Sequence, residues 1–162
     1  MSDVPALAGI GAETFIDTFG HIYAAEDLAR FLAQKQSPAF YEAFLADAEN
    51  AVWIGENDDG EVIGYCTAGP CSLPVEDMPP RSGELHRLYL RKSARGSGLG
   101  KAFMNIALEW LEGRFDELYV GVFSENVRAQ KLYQHCGFEK VAEYHFMVGD
   151  HADLEWIMKK SR

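Results

Sequence analysis

The stretch ELHRLYLRKSARGSGLGKAF, Glu84–Phe103, joins an alternating apolar run to a charged bend, a glycine-rich turn and a helix start. ELHRLYL reads as a strand. GLGKAFMNIALEWLEG reads as a helix closed by Gly113. Gly96, Gly98 and Gly100 stand where the strand gives way to the helix. Glycine lets the backbone take φ > 0 and come close to a ligand. The orphan N–H groups of a helix start, with the helix dipole behind them, then face whatever sits at the turn. A pyrophosphate meets that need. Arg95 and Lys101 add positive charge beside it. Two common phosphate folds fit poorly. A Walker loop needs Ser or Thr after the lysine, and Ala102 stands there. A dinucleotide fold places its glycines after the first strand, whereas these come mid-chain.

Working outward, the N-terminal third reads as helical. Ser2 and Asp3 are cap residues ahead of Pro5, and Leu7, Ile10, Phe15 and Phe19 fall near helical spacing, so a helix is expected from about Asp3 to Thr18. A second is expected over Ala25–Ala33, and Ser37-Pro38 starts a third. The period then changes. AVWIGE and EVIGYCTA are β-rich runs split by the hairpin signal Asn57-Asp58-Asp59-Gly60. Gly69 to Gly83, with three prolines in LPVEDMPP, reads as a long loop. After the glycine turn and its helix come the strand ELYVGVF, the helix ENVRAQKLYQHCG, and two last strands in FEKVAEYHFMVG and ADLEWIMKK. The order predicts one α/β domain over 1–162 with a mixed sheet.

The chain has 162 residues, 48% hydrophobic and 25% charged, the composition of an ordinary globular domain. Its net charge of -10 disfavours nucleic acid and anionic membrane as partners and suits a cationic substrate. The odd cysteine count (Cys66, Cys71, Cys136) suggests reduced thiols in the cytoplasm. No metal-ligand spacing, signal peptide or bilayer-spanning run is read in the sequence.

LHRLYLRKSARGSGLGKAFM resembles the coenzyme A-binding motif of the GNAT superfamily, the acetyl-CoA-dependent N-acetyltransferases. The signature [QR]-x-x-G-x-[GA] is matched by Arg95, Gly98 and Gly100. NVRAQKLYQHCGFE is similar to the family's next motif through Asn126, Tyr133, Gly137 and Phe138. The resemblance covers roughly Trp53 to the C-terminus. It implies that acetyl-CoA lies along Leu88, Tyr89, Leu90, Arg95, Gly96, Ser97, Gly98, Leu99, Gly100, Lys101, Asn126 and Ala129. The motif strand would splay from ELYVGVF, and backbone groups of Leu88 and Leu90 would meet the pantetheine arm. One backbone N–H would face the thioester oxygen as the amine attacks directly, through a tetrahedral intermediate.

Tyr133 would protonate the leaving thiolate. Glu84 is the expected base, four residues before Leu88, with His86 or ordered water as alternatives. Strand alternation puts Glu84, His86, Leu88 and Leu90 on one face. The acceptor site is expected from Phe15, Phe19, Tyr23, Glu84, His86 and His145. Together with Glu13, Asp17, Glu26, Glu76 and Asp77, these aromatics suit an alkyl ammonium such as spermidine or spermine. Acetylation of a protein N-terminus or lysine is the alternative activity, and a non-catalytic acyl-CoA sensor the alternative of another class. Family members are often dimers, although no stretch here marks an interface. The sequence departs from the pattern at its start. The family usually opens with a strand, and here a helix begins at once, so either the chain is truncated or the sheet lacks its first strand.

Overall fold

The computed structural model describes residues 3–161. Helix α1 spans Val4–Phe19, α2 Ala25–Lys35 and α3 Pro38–Ala46. The Ser37 hydroxyl caps α3 by accepting the Phe40 N–H at 3.2 Å, and Pro38 occupies the first turn, where its missing donor costs nothing. Asp3 stands at the α1 cap position without a side-chain cap bond; Ser2 lies outside the described residues.

The hairpin β1 Ala51–Glu56 and β2 Val62–Pro70 follows. Its turn is closed by the Asn57 side chain, which accepts the N–H groups of Asp59 and Glu61. Strand β3 is Ser82–Leu90, α4 Leu99–Glu112, β4 Glu117–Phe123, α5 Val127–His135, β5 Glu139–Val148 and β6 His151–Ser161. The loop expected over Gly69 to Gly83 is shorter than that. Gly69 and Pro70 pair with Glu84 and Gly83, so the ladder claims both ends and the loop is 71–81. No strand precedes α1 among the described residues.

One mixed sheet results, in the order β1-β2-β3-β4-β6-β5. Only β3 and β4 run parallel, as their connection through α4 requires. Helices α4 and α5 cover one face. Phe103, Met104, Ala107, Leu111 and Tyr133 pack there on Leu85, Val120, Val122 and Met158. Helices α1–α3 cover the other. Val4, Leu7 and Ile10 meet Tyr41 and Tyr65, while Phe15 and Phe19 meet Tyr23 and Val148.

A bulge corrects the expected facing of β3. Arg87 pairs with Thr67 and Leu85 with the next residue, Ala68, so His86 is the extra residue. A bulge reverses the alternation beyond it. Leu85, Leu88 and Leu90 therefore all pack toward α4. Tyr89 packs toward α1, and Arg87 stacks on Phe40 and Tyr41 of α3. Glu84 does not share a face with Leu88 and Leu90.

Candidate active site

The parallel ladder between β3 and β4 is short. It runs from Ser82↔Glu117 to Leu85↔Val120 and stops. Beyond it β3 stays with β2 as far as Leu90↔Gly64, and β4 stays with β6 as far as Phe123↔Glu155. The strands part, and a cavity of about 1160 Å³ opens between them. That exceeds the ~300–1,000 Å³ of most small-molecule pockets, leaving room for two reactants.

One end of the cavity is the glycine turn. Gly96 and Gly98 have φ of 80° and 90°, and Gly98 is the left-handed residue that caps α4. Ser97 Oγ accepts the Leu99 N–H at 3.3 Å, and the Ala102 N–H returns to the Gly98 carbonyl. The N–H groups of Gly100 and Lys101 are left without a helical acceptor. Arg95, Lys101 and Arg128 line the same wall and form no ion pair among the described residues. Unpaired cations around free N–H groups suit a polyanion such as the pyrophosphate of coenzyme A. Asn126 and Ala129 line this wall too. The Asn126 side chain caps α5 by accepting the Ala129 N–H at 3.2 Å.

Tyr133 comes to the cavity from α5 with its ring packed against Phe138. It is 7% exposed, and burial pushes its phenol well above the usual range, so it stays protonated throughout neutral pH. Tyr89 enters from the opposite face, stacked on Tyr65, and burial pushes it up to about 12. Leu88 and Leu90 also line the opening.

Two acids, one buried and one half-buried, also line the cavity. Glu84 is 6% exposed. Its Oε2 accepts the Ser72 N–H at 2.8 Å and the Ser72 hydroxyl at 3.1 Å, and His86 Nδ1 is 3.5 Å away. Glu155 arrives from β6 and accepts the Tyr144 hydroxyl at 2.9 Å. Burial raises its pKa, Asp153 and Glu84 add to the rise, and the Tyr144 hydrogen bond opposes it. Gly121 leaves the room for this pair, since a Cβ there would meet Glu155 Oε2 and Tyr144 Oη, each at 3.3 Å.

Several expected residues lie elsewhere. Phe15 lines the cavity, but Phe19 and Tyr23 do not. They belong to the α1 core cluster, and the Tyr23 hydroxyl donates to the buried Asp153 carboxylate. His145 is exposed on the edge strand β5. Leu99 packs under β1 and β2 against Gly55 and Gly64, and Ser97 is spent on the turn itself. Glu13 pairs with Arg91. Glu26, Glu76 and Asp77 are exposed outside the cavity, and of the five acids expected around the acceptor only Asp17 lines it.

The model of the Acetyltransferase (GNAT) family matches residues 16–138. The chain belongs to that family. An uncharacterized N-acetyltransferase of Lactobacillus delbrueckii subsp. lactis is 32% identical over 98% of this chain and 92% of its own length. A Bacillus subtilis subsp. natto protein named "Probable spermine N(1)-acetyltransferase" is 28% identical over 57% of this chain and 62% of its own. The structure of PaiA N-acetyltransferase from Thermoplasma acidophilum in complex with coenzyme A has a TM-score of 0.75. It is 19% identical, covering 99% of this chain and 94% of that one, which is a shared fold. The chain is thus an acetyl-CoA-dependent N-acetyltransferase, with acetyl-CoA as the donor.

The cavity of the acetyltransferase is also lined by residues that the sequence reading passed over: Glu155, Tyr144, Ser72, Arg87 and Tyr41. Glu155 left no readable trace. In ADLEWIMKK, Leu154, Trp156 and Met158 alternate with Asp153 and Glu155, which reads as a polar face, yet Asp153 and Ile157 on its parity are 4% and 0% exposed. Among the described residues of the acetyltransferase, no helix is long and apolar enough to cross a membrane.

Proposed function

We propose that the enzyme transfers acetyl to the primary amine of a small molecule, by direct attack of the amine on the acyl carbon. The observation that carries this reading is a single cavity lined at once by the glycine turn, by Tyr133, by the buried carboxylate of Glu84 and by the half-buried one of Glu155. Acetyl-CoA supplies the activated thioester. Arg95, Gly98, Gly100, Lys101 and Arg128 hold its phosphates. A backbone N–H of β3 near Leu88, beyond the last β3–β4 pair, donates to the acyl oxygen.

An ammonium entering the acid end must shed a proton before it attacks. That proton goes to the carboxylate pair. Glu84 is fixed by Ser72, and Glu155, held up by burial, is a stronger base than an exposed glutamate. Tyr133 meets the departing sulfur as a hydrogen-bond donor. With its pKa raised by burial it is a weaker acid than a free phenol. Its work is therefore to stabilise the thiolate's charge by donating a hydrogen bond, while the second proton that the attacking nitrogen sheds as the C–S bond breaks passes to the sulfur and coenzyme A leaves as the thiol.

Among small amines, the sequence reading favours spermidine or spermine. The acid end and the Bacillus relative's name support that choice, while the loss of Phe19 and Tyr23 to the core removes part of its aromatic cage. Free thiols at Cys66, Cys71 and Cys136 suit a reducing cytoplasm. The test is thiol release from acetyl-CoA against spermidine, spermine, a lysine peptide, N-terminal peptides and an amino sugar. Turnover with small amines only is the expected result. Turnover confined to peptides would transfer the reading to protein acetylation, and tight acetyl-CoA binding without turnover would make the chain a sensor.

A further inference from the structure

Arg87 points the acceptor question in another direction. The β3 bulge turns it toward α3 and into the cavity wall. Its guanidinium lies 4.6 Å from the Phe40 ring centroid and 5.6 Å from that of Tyr41. Its Nη1 donates to the Tyr41 hydroxyl at 2.9 Å. That hydroxyl donates in turn to Gln36 Oε1 at 2.6 Å. Tyr41 is 0% exposed and Gln36 4%, so the chain of bonds is anchored in the core. Helix α1 is cut to fit it, because a Cβ on Gly11 would lie 2.2 Å from Gln36 Oε1 and 2.8 Å from the Tyr41 hydroxyl.

Helix α3, backed by Gln36 at the end of α2, therefore fixes one guanidinium, yet Arg87 has no carboxylate partner among the described residues. Its neighbour in the wall, Lys35, lies 6.0 Å from the Phe40 centroid and is also without an ion pair. A planar fork held on an aromatic shelf, with donors left over, is built to take a carboxylate in bidentate fashion. A polyamine would bring like charge to the same spot.

We propose that Arg87, oriented by Tyr41 and Gln36, is a subsite for a carboxylate on the acceptor, so that the preferred acceptor is an amino acid and not a polyamine. This rests on the reading of the cavity as an acetyl-transfer site and narrows it. The acid end receives the ammonium, Arg87 receives the carboxylate, and the acceptor is chosen by carrying both charges.

The experiment uses pairs of amines that differ only in a carboxylate: lysine with cadaverine, ornithine with putrescine, and 4-aminobutyrate with propylamine. In the wild-type enzyme kcat/KM is expected to favour the carboxylate-bearing member by roughly 10- to 100-fold, the factor of a charge-assisted pair. Arg87→Gln is expected to bring that ratio close to one. Tyr41→Phe, which keeps the ring and removes the relay, is expected to lower it partway. A wild-type ratio at or below one, or a ratio untouched by Arg87→Gln, overturns the proposal. If no amine in the set is acetylated, calorimetry of lysine and cadaverine with the coenzyme A-loaded enzyme separates the two readings. Lysine binding that is lost in Arg87→Gln upholds the subsite while the transfer reading fails, and equal or absent binding overturns the subsite.

Discussion

At the scale of single residues, burial sets the chemistry. Tyr133 stays protonated because its phenolate would be desolvated. Replacing it with Phe removes a donor to the departing sulfur without disturbing the ring's packing on Phe138. The expected loss in kcat is about 10²-fold, with little change in Tm, measured by steady-state thiol release and thermal denaturation. Glu155 bears on stability as well as chemistry. Its folded pKa is raised, so its favourable contribution is complete below the unfolded value, about 4.3. That contribution is lost as pH rises through the folded one. Glu155→Gln keeps an acceptor for the Tyr144 hydroxyl and removes the half-buried charge. The variant's Tm relative to wild type should therefore be higher at pH 8 than at pH 4, by about 2–4 °C for each kcal/mol relieved. An equal difference at both pH values would contradict this account of Glu155. The residue was hard to see in the sequence because its partners are remote. Tyr144 meets it through the β5–β6 register and Glu84 across the β3–β4 opening, and no periodicity reports either.

At the scale of elements, local signals proved readable wherever geometry is local. The three early helices, the Asn57–Gly60 hairpin and the Gly96–Gly100 turn each follow from a few adjacent residues. The turn's left-handed glycines supply a prediction. Nothing lies within 4 Å of a Cβ built on Gly98, so Gly98→Ala costs only backbone strain, roughly 1–2 kcal/mol. Gly60→Ala, with a φ of 78° in the β1–β2 hairpin, should cost about the same. Both variants should lose similar Tm, but only Gly98→Ala should raise the KM for acetyl-CoA. Equal KM values would mean that the turn is structural alone. Where sequence reading failed, the cause was a tertiary decision. The extra residue at His86 is defined by what β2 offers opposite it, and strict alternation put Glu84 and Leu88 together. Phe19 and Tyr23 look like cage aromatics by composition, yet β5 supplies Val148 and Phe146 to bury their neighbourhood.

At the scale of the whole molecule, the sheet is continuous only along a short seam. Four residue pairs, Ser82–Leu85 with Glu117–Val120, join β1-β2-β3 to β4-β6-β5. Inner-edge amides beyond that seam have no strand across from them. Hydrogen exchange should show residues 86–90 and the turn at 96–101 gaining protection when acetyl-CoA is added, while the β1–β2 hairpin tip is unchanged. Uniform protection would mean that binding tightens the fold globally. The whole-chain charge of -10 said little about the site, because its basic mouth and acid end are assembled from segments far apart in sequence. The same seam has a mechanical meaning. Two leaves of three strands each hang on a short hinge line, like covers on a narrow spine. A donor lying in the gape touches both covers and acts as a bolt across them. Pulled from its ends, the empty protein should open like a book, and the loaded one should resist as a single board.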